Sequence, residues 1–87
     1  MELDRTEMVK VINRLKRAQG QLAGVLRMLD EGRDCEEIVM QLSAVSRALD
    51  RAGFAIIATG MKQCILEADG KETLDVARLE KLFLSLA

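Results

Sequence analysis

Two cysteines, Cys35 and Cys64, supply the only thiols of this 87-residue chain, and it contains no histidine. A thiolate can attack sulfur, form a disulfide or bind a soft metal ion. A dithiol enzyme would use a Cys-x-x-Cys pair or a histidine base, and the absence of both disfavours catalysis. The plainest alternative is that each cysteine is a small buried apolar residue. Cys35 fits that alternative poorly, because it lies between Asp34 and Glu36.

The spacing of the two cysteines constrains how they can meet. On one helix their 29-residue separation ends about 20° beyond whole turns, so they would share a face. The same helix would hold them roughly 43 Å apart, too far for a disulfide or a shared metal ion. Two copies packed antiparallel about a twofold axis near Leu49 and Asp50 would place Cys35 opposite Cys64 of the partner subunit. Isologous pairing is the commonest oligomer geometry, so we expect the thiols to meet only between subunits.

The composition favours helices that associate. Hydrophobic residues make up 49% of the chain, only two residues are aromatic, and proline is absent. The apolar residues are mainly leucine, isoleucine, valine, alanine and methionine, and together with the absence of proline they suit an all-α fold better than a sheet. A chain of this length is one domain, residues 1–87, and is short for a self-sufficient core. We therefore expect it to complete its core by pairing with copies of itself.

Heptad spacing predicts a first helix from about Asp4 to Asp30, with Asp4 or Thr6 as N-cap and Gly32 after its end. A second helix is predicted from Cys35 to about residue 68, between the N-cap Asp34 and the turn "ADGK". The seam of the first helix comprises Met8, Val11, Leu15, Ala18, Leu22, Val25 and Leu29. The seam of the second comprises Ile38, Leu42, Val45, Leu49, Ala52 and Ile56.

A short third helix is predicted from about Leu74 to Leu84, where Leu74, Leu79, Leu82 and Phe83 would cover the end of the bundle. The stretch "AGFAIIATGM" in the second helix is rich in small residues, which predicts a close helix contact there. No apolar run approaches the ~18 residues of a membrane span. The acidic start "MELDRTE" does not resemble a signal peptide. These features predict a cytoplasmic protein, whose thiols are reduced by default.

The net charge of −1 hides an uneven distribution. Residues 8–29 contain five cations and no acid, whereas residues 30–50 contain six acids and two arginines. Lys10, Arg14 and Arg17 follow i, i+4, i+7 spacing and share a helix face. A basic face is often only a solvated face. Binding of single-stranded nucleic acid is disfavoured, because it relies on aromatic side chains that stack on bases.

Four segments in order resemble the copper-sensitive operon repressor (CsoR) family: "NRLKRAQGQLAGVLRML", then "DC", "QLSAV" and "GMKQCIL". The resemblance covers nearly the whole chain. It implies an all-helical dimer, in which the two subunits form an antiparallel four-helix bundle, and this dimer pairs into a flat homotetramer. It also implies binding to double-stranded operator DNA without a helix-turn-helix, and release when the inter-subunit cysteines sense a signal.

The sensed signal is where the chain departs from most of that family. Copper and formaldehyde sensors of the family carry a histidine four residues before the second cysteine, at the position of Gly60, and its nickel and cobalt sensors need several histidines. The chain is instead similar to the persulfide-sensing branch, the CsoR-like sulfurtransferase repressors (CstR), which keep two cysteines without the histidine. This predicts no cofactor. Cu(I) bound by Cys35 and Cys64 stays the alternative, because soft thiolates bind it; Met61 is assigned to no site.

The resemblance also implies roles for individual residues. Arg14 and Arg51 match the DNA-contacting arginines of the first and second helices. Lys10, Arg17 and Arg47 are further candidates for the DNA interface. Glu80 matches a third-helix position that takes part in hydrogen bonding around the sensing site, although its usual partners are replaced here by Asp34 and Gly60.

The two thiols are expected to differ in reactivity. Cys35 is at the N-terminus of the second helix, where the helix dipole favours a thiolate, although the neighbouring acids oppose it. Cys64 is near the opposite end, where the dipole has the opposite effect. We therefore predict that Cys35 is the nucleophile that attacks a persulfide and that Cys64 is the thiol that resolves it.

Overall fold

The computed structural model describes residues 2–67 and 74–86, which form three α-helices. They are α1 (Arg5–Asp30), α2 (Cys35–Glu67) and α3 (Leu74–Leu86). The described ranges contain no strand, so the predicted all-α class is confirmed. The predicted "ADGK" turn lies outside the described residues. None of the described helices combines the length and apolarity that a bilayer crossing requires.

The ends of α1 follow the local signals of the sequence. Asp4 is the N-cap, and its Oδ1 accepts a hydrogen bond of 2.8 Å from the backbone N–H of Thr6. At the other end Gly32 has φ of +67°, the left-handed conformation that favours glycine. The N–H of Arg33 donates to the carbonyl of Met28 at 2.9 Å, which closes the helix end. The chain therefore reverses within a few residues.

Asp34 starts α2 directly after that turn. Its Oδ2 accepts a hydrogen bond of 3.1 Å from the N–H of Glu36, and its carbonyl accepts from the N–H of Ile38. This N-cap fixes Cys35 as the first residue of α2. The helix then continues without a break for 33 residues.

α1 and α2 pack against each other as a hairpin. Near the start of α1, Met8 and Val11 bury their side chains against Ala52 of α2. Ala18 and Val25 are also buried along α1, as is Val45 of α2. The buried residues are the inward row of the predicted seams.

The outward rows of both seams are uncovered in the single chain. Leu22, Leu29, Leu42 and Leu49 are each between 43% and 57% exposed. Within the described residues α1 packs against α2, and α2 packs against α1 and α3. Neither contact covers these four leucines, so this face of the helix pair has no covering element in the single chain.

α3 packs against the C-terminal half of α2. The rings of Phe54 and Phe83 lie 5.0 Å apart between centroids, at an interplanar angle of 53°. Leu86 lies directly over Gly53, where an added Cβ would come within 2.8 Å of the leucine Cδ1. This contact is the close approach that the small residues of α2 predicted.

The covering side chains of α3 differ in part from the prediction. Val76, which the sequence did not single out, is buried, and Leu79 is half-buried. Leu82 and Phe83 remain 54% and 43% exposed, although the ring of Phe83 contacts that of Phe54. The side chain of Leu74 lies outside the described part.

Candidate functional site

The two cysteines lie in different surroundings at opposite ends of α2. Cys35 is exposed, Cys64 is buried, and neither forms a disulfide. Because α2 is unbroken between them, its rise keeps the two thiols roughly 43 Å apart within one chain. The spacing predicted that Cys35 and Cys64 share a face of α2. They differ in burial because α3 packs against only the C-terminal half of α2, where Cys64 lies. Cys64 is 4% exposed there.

The donor groups of one chain do not fit a metal site. No group of three or more histidine, cysteine, aspartate or glutamate side chains comes together among residues 2–67 and 74–86. With no histidine in the sequence, the soft ligands are Cys35, Cys64 and the methionines. A Cu(I) ion shared by both thiols would therefore need two subunits and would have two thiolate ligands.

Acidic side chains surround Cys35, but part of their negative charge is balanced by neighbouring groups. Asp34 uses its carboxylate to cap α2. Glu37 pairs with Arg33, whose Nη2 lies 3.0 Å from the glutamate Oε2. Both side chains of this pair are about half exposed, so the attraction is weak and screened by salt. The start of α2 thus presents a solvent-accessible thiol beside one ion-paired and one capping carboxylate.

Four arginines line one open groove between α1 and α2, with a volume of about 760 Å³. Arg14 and Arg17 come from α1, and Arg47 and Arg51 come from α2. The remaining lining residues carry no charge. We name this surface the arginine groove. The antiparallel hairpin builds it by bringing the basic face of α1 beside Arg47 and Arg51 of α2.

The groove includes four of the five candidate residues for DNA binding. Lys10 lies one helical turn before Arg14, is exposed, and is not part of the groove wall. Sequence reasoning missed four lining residues, the small Ala44 and Ala48 and the larger Gln21 and Phe54. For the two larger residues the signal was spacing, because Gln21 follows Arg14 by seven residues and Phe54 follows Arg51 by three.

Gln21 and Phe54 give the groove two further properties. The Oε1 atom of Gln21 is buried and has no hydrogen-bond partner among the described residues, so it is an acceptor available to an arginine or a water molecule. Phe54 lines the groove and also contacts Phe83 of α3. The wall of the groove is therefore in direct contact with the helix that packs beside Cys64.

Glu80 is exposed on α3 and lines a small, largely apolar cavity together with Met61, Phe83 and Leu84. Met61 directly follows Gly60, the position where the resembled sensors carry histidine, so Glu80 of α3 lies near that position. Asp34, the other expected partner position, is at the far end of α2. Glu80 is near one end of the sensing region, and within one chain it is remote from Cys35.

Comparisons with known proteins agree on one family. A family model described as a metal-sensitive transcriptional repressor matches residues 7–85. The copper-sensing transcriptional repressor CsoR of Mycobacterium ulcerans is 35% identical over 68 residues, which cover 74% of this chain and 58% of that protein. CsoR of Bacillus subtilis is 31% identical over 69 residues, which cover 75% of this chain and 68% of that protein. The chain thus spans less than two thirds of the length of the mycobacterial relative.

Two further similarities cover more of the matched protein. The uncharacterized protein YrkD of Bacillus subtilis is 36% identical over 53 residues, 59% of this chain and 84% of that protein. Among solved structures, the nickel-responsive transcriptional regulator InrS superposes with a TM-score of 0.74 at 34% identity, covering 90% of each chain. At that identity and coverage the similarity extends to the arrangement of all three helices.

Proposed function

Because the chain belongs to the metal-sensitive transcriptional repressor family, we propose that it represses transcription by binding double-stranded operator DNA as a homotetramer. It leaves the DNA when Cys35 of one subunit and Cys64 of its partner subunit react with a persulfide or polysulfide. We assign residues 1–87 to one sensor and DNA-binding domain that acts in the cytoplasm. Its role is regulatory, and no catalytic turnover is part of it.

The observation that carries the sensing half is the placement of the two thiols. They occupy opposite ends of one continuous helix, and the chain has no histidine to complete a metal site. Two thiols suffice for sulfur chemistry, whereas a three-coordinate metal site needs a third ligand. In an antiparallel pair of α2 helices each Cys35 lies opposite the partner subunit's Cys64, so one dimer has two such sites.

The chemistry has two balanced steps. The Cys35 thiolate attacks the terminal sulfur of a persulfide R–S–SH, the R–S to SH bond breaks, and RS⁻ leaves, which yields a Cys35 persulfide. The thiolate of the partner subunit's Cys64 then attacks the Sγ atom of Cys35 and expels HS⁻. The products are an inter-subunit disulfide and hydrosulfide, because the two thiols are oxidised while the terminal sulfur is reduced. A longer polysulfide leaves extra sulfur atoms in the bridge.

The arginine groove supports the DNA half. Four guanidinium groups without a neighbouring lining carboxylate form a local positive field on a chain whose net charge is −1. Arginine binds phosphate bidentately and keeps its charge at any physiological pH. A tetramer would present the groove four times. Phe54 supports communication between the sites, since it borders the groove and contacts α3.

Cu(I) sensing is the second candidate, favoured by the copper-sensing relatives. In this chain it would use Cys35 and the partner subunit's Cys64 as ligands. The two candidates make different products. If Cu(I) causes the protein to leave the DNA, a chelator would reverse the effect and the protein would gain no sulfur. If a persulfide causes it, a reducing agent would reverse the effect and the protein would carry a cross-link or added sulfur mass.

The test uses a duplex selected from a random-sequence library by the purified protein. Fluorescence anisotropy of that duplex should fall when inorganic polysulfide is added to the wild-type complex. Cys35→Ser and Cys64→Ser should bind the duplex as well as wild type but stay bound after the same treatment. If polysulfide still releases the duplex from both variants, thiol sensing would be contradicted. If Cu(I) releases the duplex from the wild-type protein and polysulfide does not, the second candidate would be favoured.

A further inference from the structure

α3 covers the face of α2 that carries Cys64. Gly53, Ile57, Gly60 and Cys64 recur at intervals of four, three and four residues, so they lie in one row on α2. Ile57 and Cys64 are 6% and 4% exposed, and Gly60 is also buried. Leu86 lies on the first member of the row, which identifies α3 as the helix over it.

The contacts between α2 and α3 fix an antiparallel register. Residue 53 meets 86 and residue 54 meets 83. Residues 61 and 80 line the same cavity farther along. Continuing this register toward the start of α3 brings residue 76 beside residue 64. Val76 is only 7% exposed, as expected for a residue at the buried end of this contact.

We propose that α3 is a lid over Cys64 and that the start of α3 must move away before this thiol can react. The proposal gives a regulatory step to the sensing site and rests on the proposed function for its biological meaning. Cys35 is exposed and reacts without such a step. The lid therefore orders the chemistry: sulfur is captured at Cys35 first, and Cys64 of the partner subunit resolves it only when its α3 opens.

The lid has a limited contact with the rest of the chain. α3 is 13 residues long and, in the described part of the chain, packs against α2 alone. Leu82 and Leu84 are exposed on it, and the cavity beside Met61 interrupts its packing. Local opening is easiest for elements with few buried apolar contacts. The Phe54–Phe83 pair is the principal aromatic anchor that resists it.

The test measures the rate at which N-ethylmaleimide alkylates Cys64 in a Cys35→Ser background, without DNA or polysulfide. Phe83→Ala should raise that rate about fivefold, the order expected from loss of one aromatic pair. The matched control is Leu82→Ala, which shortens an exposed side chain of the same helix and should leave the rate unchanged. Circular dichroism checks that both variants remain helical. An unchanged rate in a folded Phe83→Ala variant would overturn the lid.

Hydrogen exchange keeps the proposal testable if Phe83→Ala fails to fold. In the Cys35→Ser protein, the protection factor of Cys64 against alkylation should equal that of the amides of residues 78–80, whose helical hydrogen bonds go to the carbonyls of residues 74–76 at the start of α3. Cys64 that stays protected while those amides exchange freely would refute the lid. Neither measurement involves DNA release. A result that refutes the lid would therefore not refute the proposed repressor function, and the lid can be tested even if the protein does not repress transcription.

Discussion

Arg14→Ala should weaken DNA binding and also reduce its dependence on salt. Arg14 is one of four guanidinium groups that line the arginine groove. Each phosphate that a side chain neutralises releases counterions, which adds about 0.9 to the magnitude of the slope of log K against log salt. Four contacts in one groove give a slope of about −3.6, so doubling the salt weakens binding about 12-fold per groove. Three contacts give about −2.7, or about 6.5-fold per doubling.

The measurement is a series of anisotropy titrations of the selected duplex from low to moderate salt, for wild type, Arg14→Ala and Arg51→Ala. The matched control is Arg27→Ala, which removes the same charge from α1 at a position outside the groove wall. Arg27→Ala should leave the slope unchanged. Equal slopes for all four proteins would refute the assignment of the groove to DNA and would mean that it is only a solvated basic surface.

Other consequences concern assembly, thiol asymmetry and the turn. Sedimentation equilibrium at micromolar concentration should show dimers or tetramers, because the outward seam leucines need a cover; a folded monomer would refute the architecture. Under polysulfide, mass spectrometry of Cys64→Ser should find a persulfide that stays on Cys35, whereas Cys35→Ser should react slowly because its remaining thiol is buried; equal rates would contradict the assigned roles. In urea unfolding, Gly32→Ala should lower the free energy of unfolding by about 1–2 kcal/mol, because the φ of Gly32 is +67°. The helical control Gly20→Ala, where a Cβ has open space, should raise the free energy of unfolding by about 0.5–1 kcal/mol. The same sign for both would contradict the turn geometry.

The helices were predictable because their ends are marked locally. Asp4, Gly32 and Asp34 act through hydrogen bonds or backbone conformation within a few residues. Heptad spacing also identified the inward row of each seam, because burial along a helix repeats with its turn. Such features need no knowledge of the partner element.

The surroundings of the site were less predictable because they depend on how the helices align. The arginine groove arises from the alignment of α1 with α2. The spacing of Arg14 and Arg17 therefore predicted that they share a face, but it did not predict that they lie beside Arg47. The burial of Cys64 depends on the register of α3 against α2. The sequence between the two helices contains no pattern that predicts this register. Val76 was missed for the same reason, since a 13-residue helix has too few turns to define its covering row.

The central claim is that the thiols of Cys35 and Cys64 join between subunits. Equal amounts of 15N-labelled and unlabelled protein are unfolded together, refolded and treated with inorganic polysulfide, and the peptides linked through the two cysteines are analysed by mass spectrometry. We expect linked pairs in which one peptide is labelled and the other is not, with a disulfide or added sulfur between them. Linked peptides that always carry the same label would show a bond within one chain and would contradict the antiparallel arrangement. Absence of any Cys35–Cys64 link or added sulfur would contradict persulfide sensing itself.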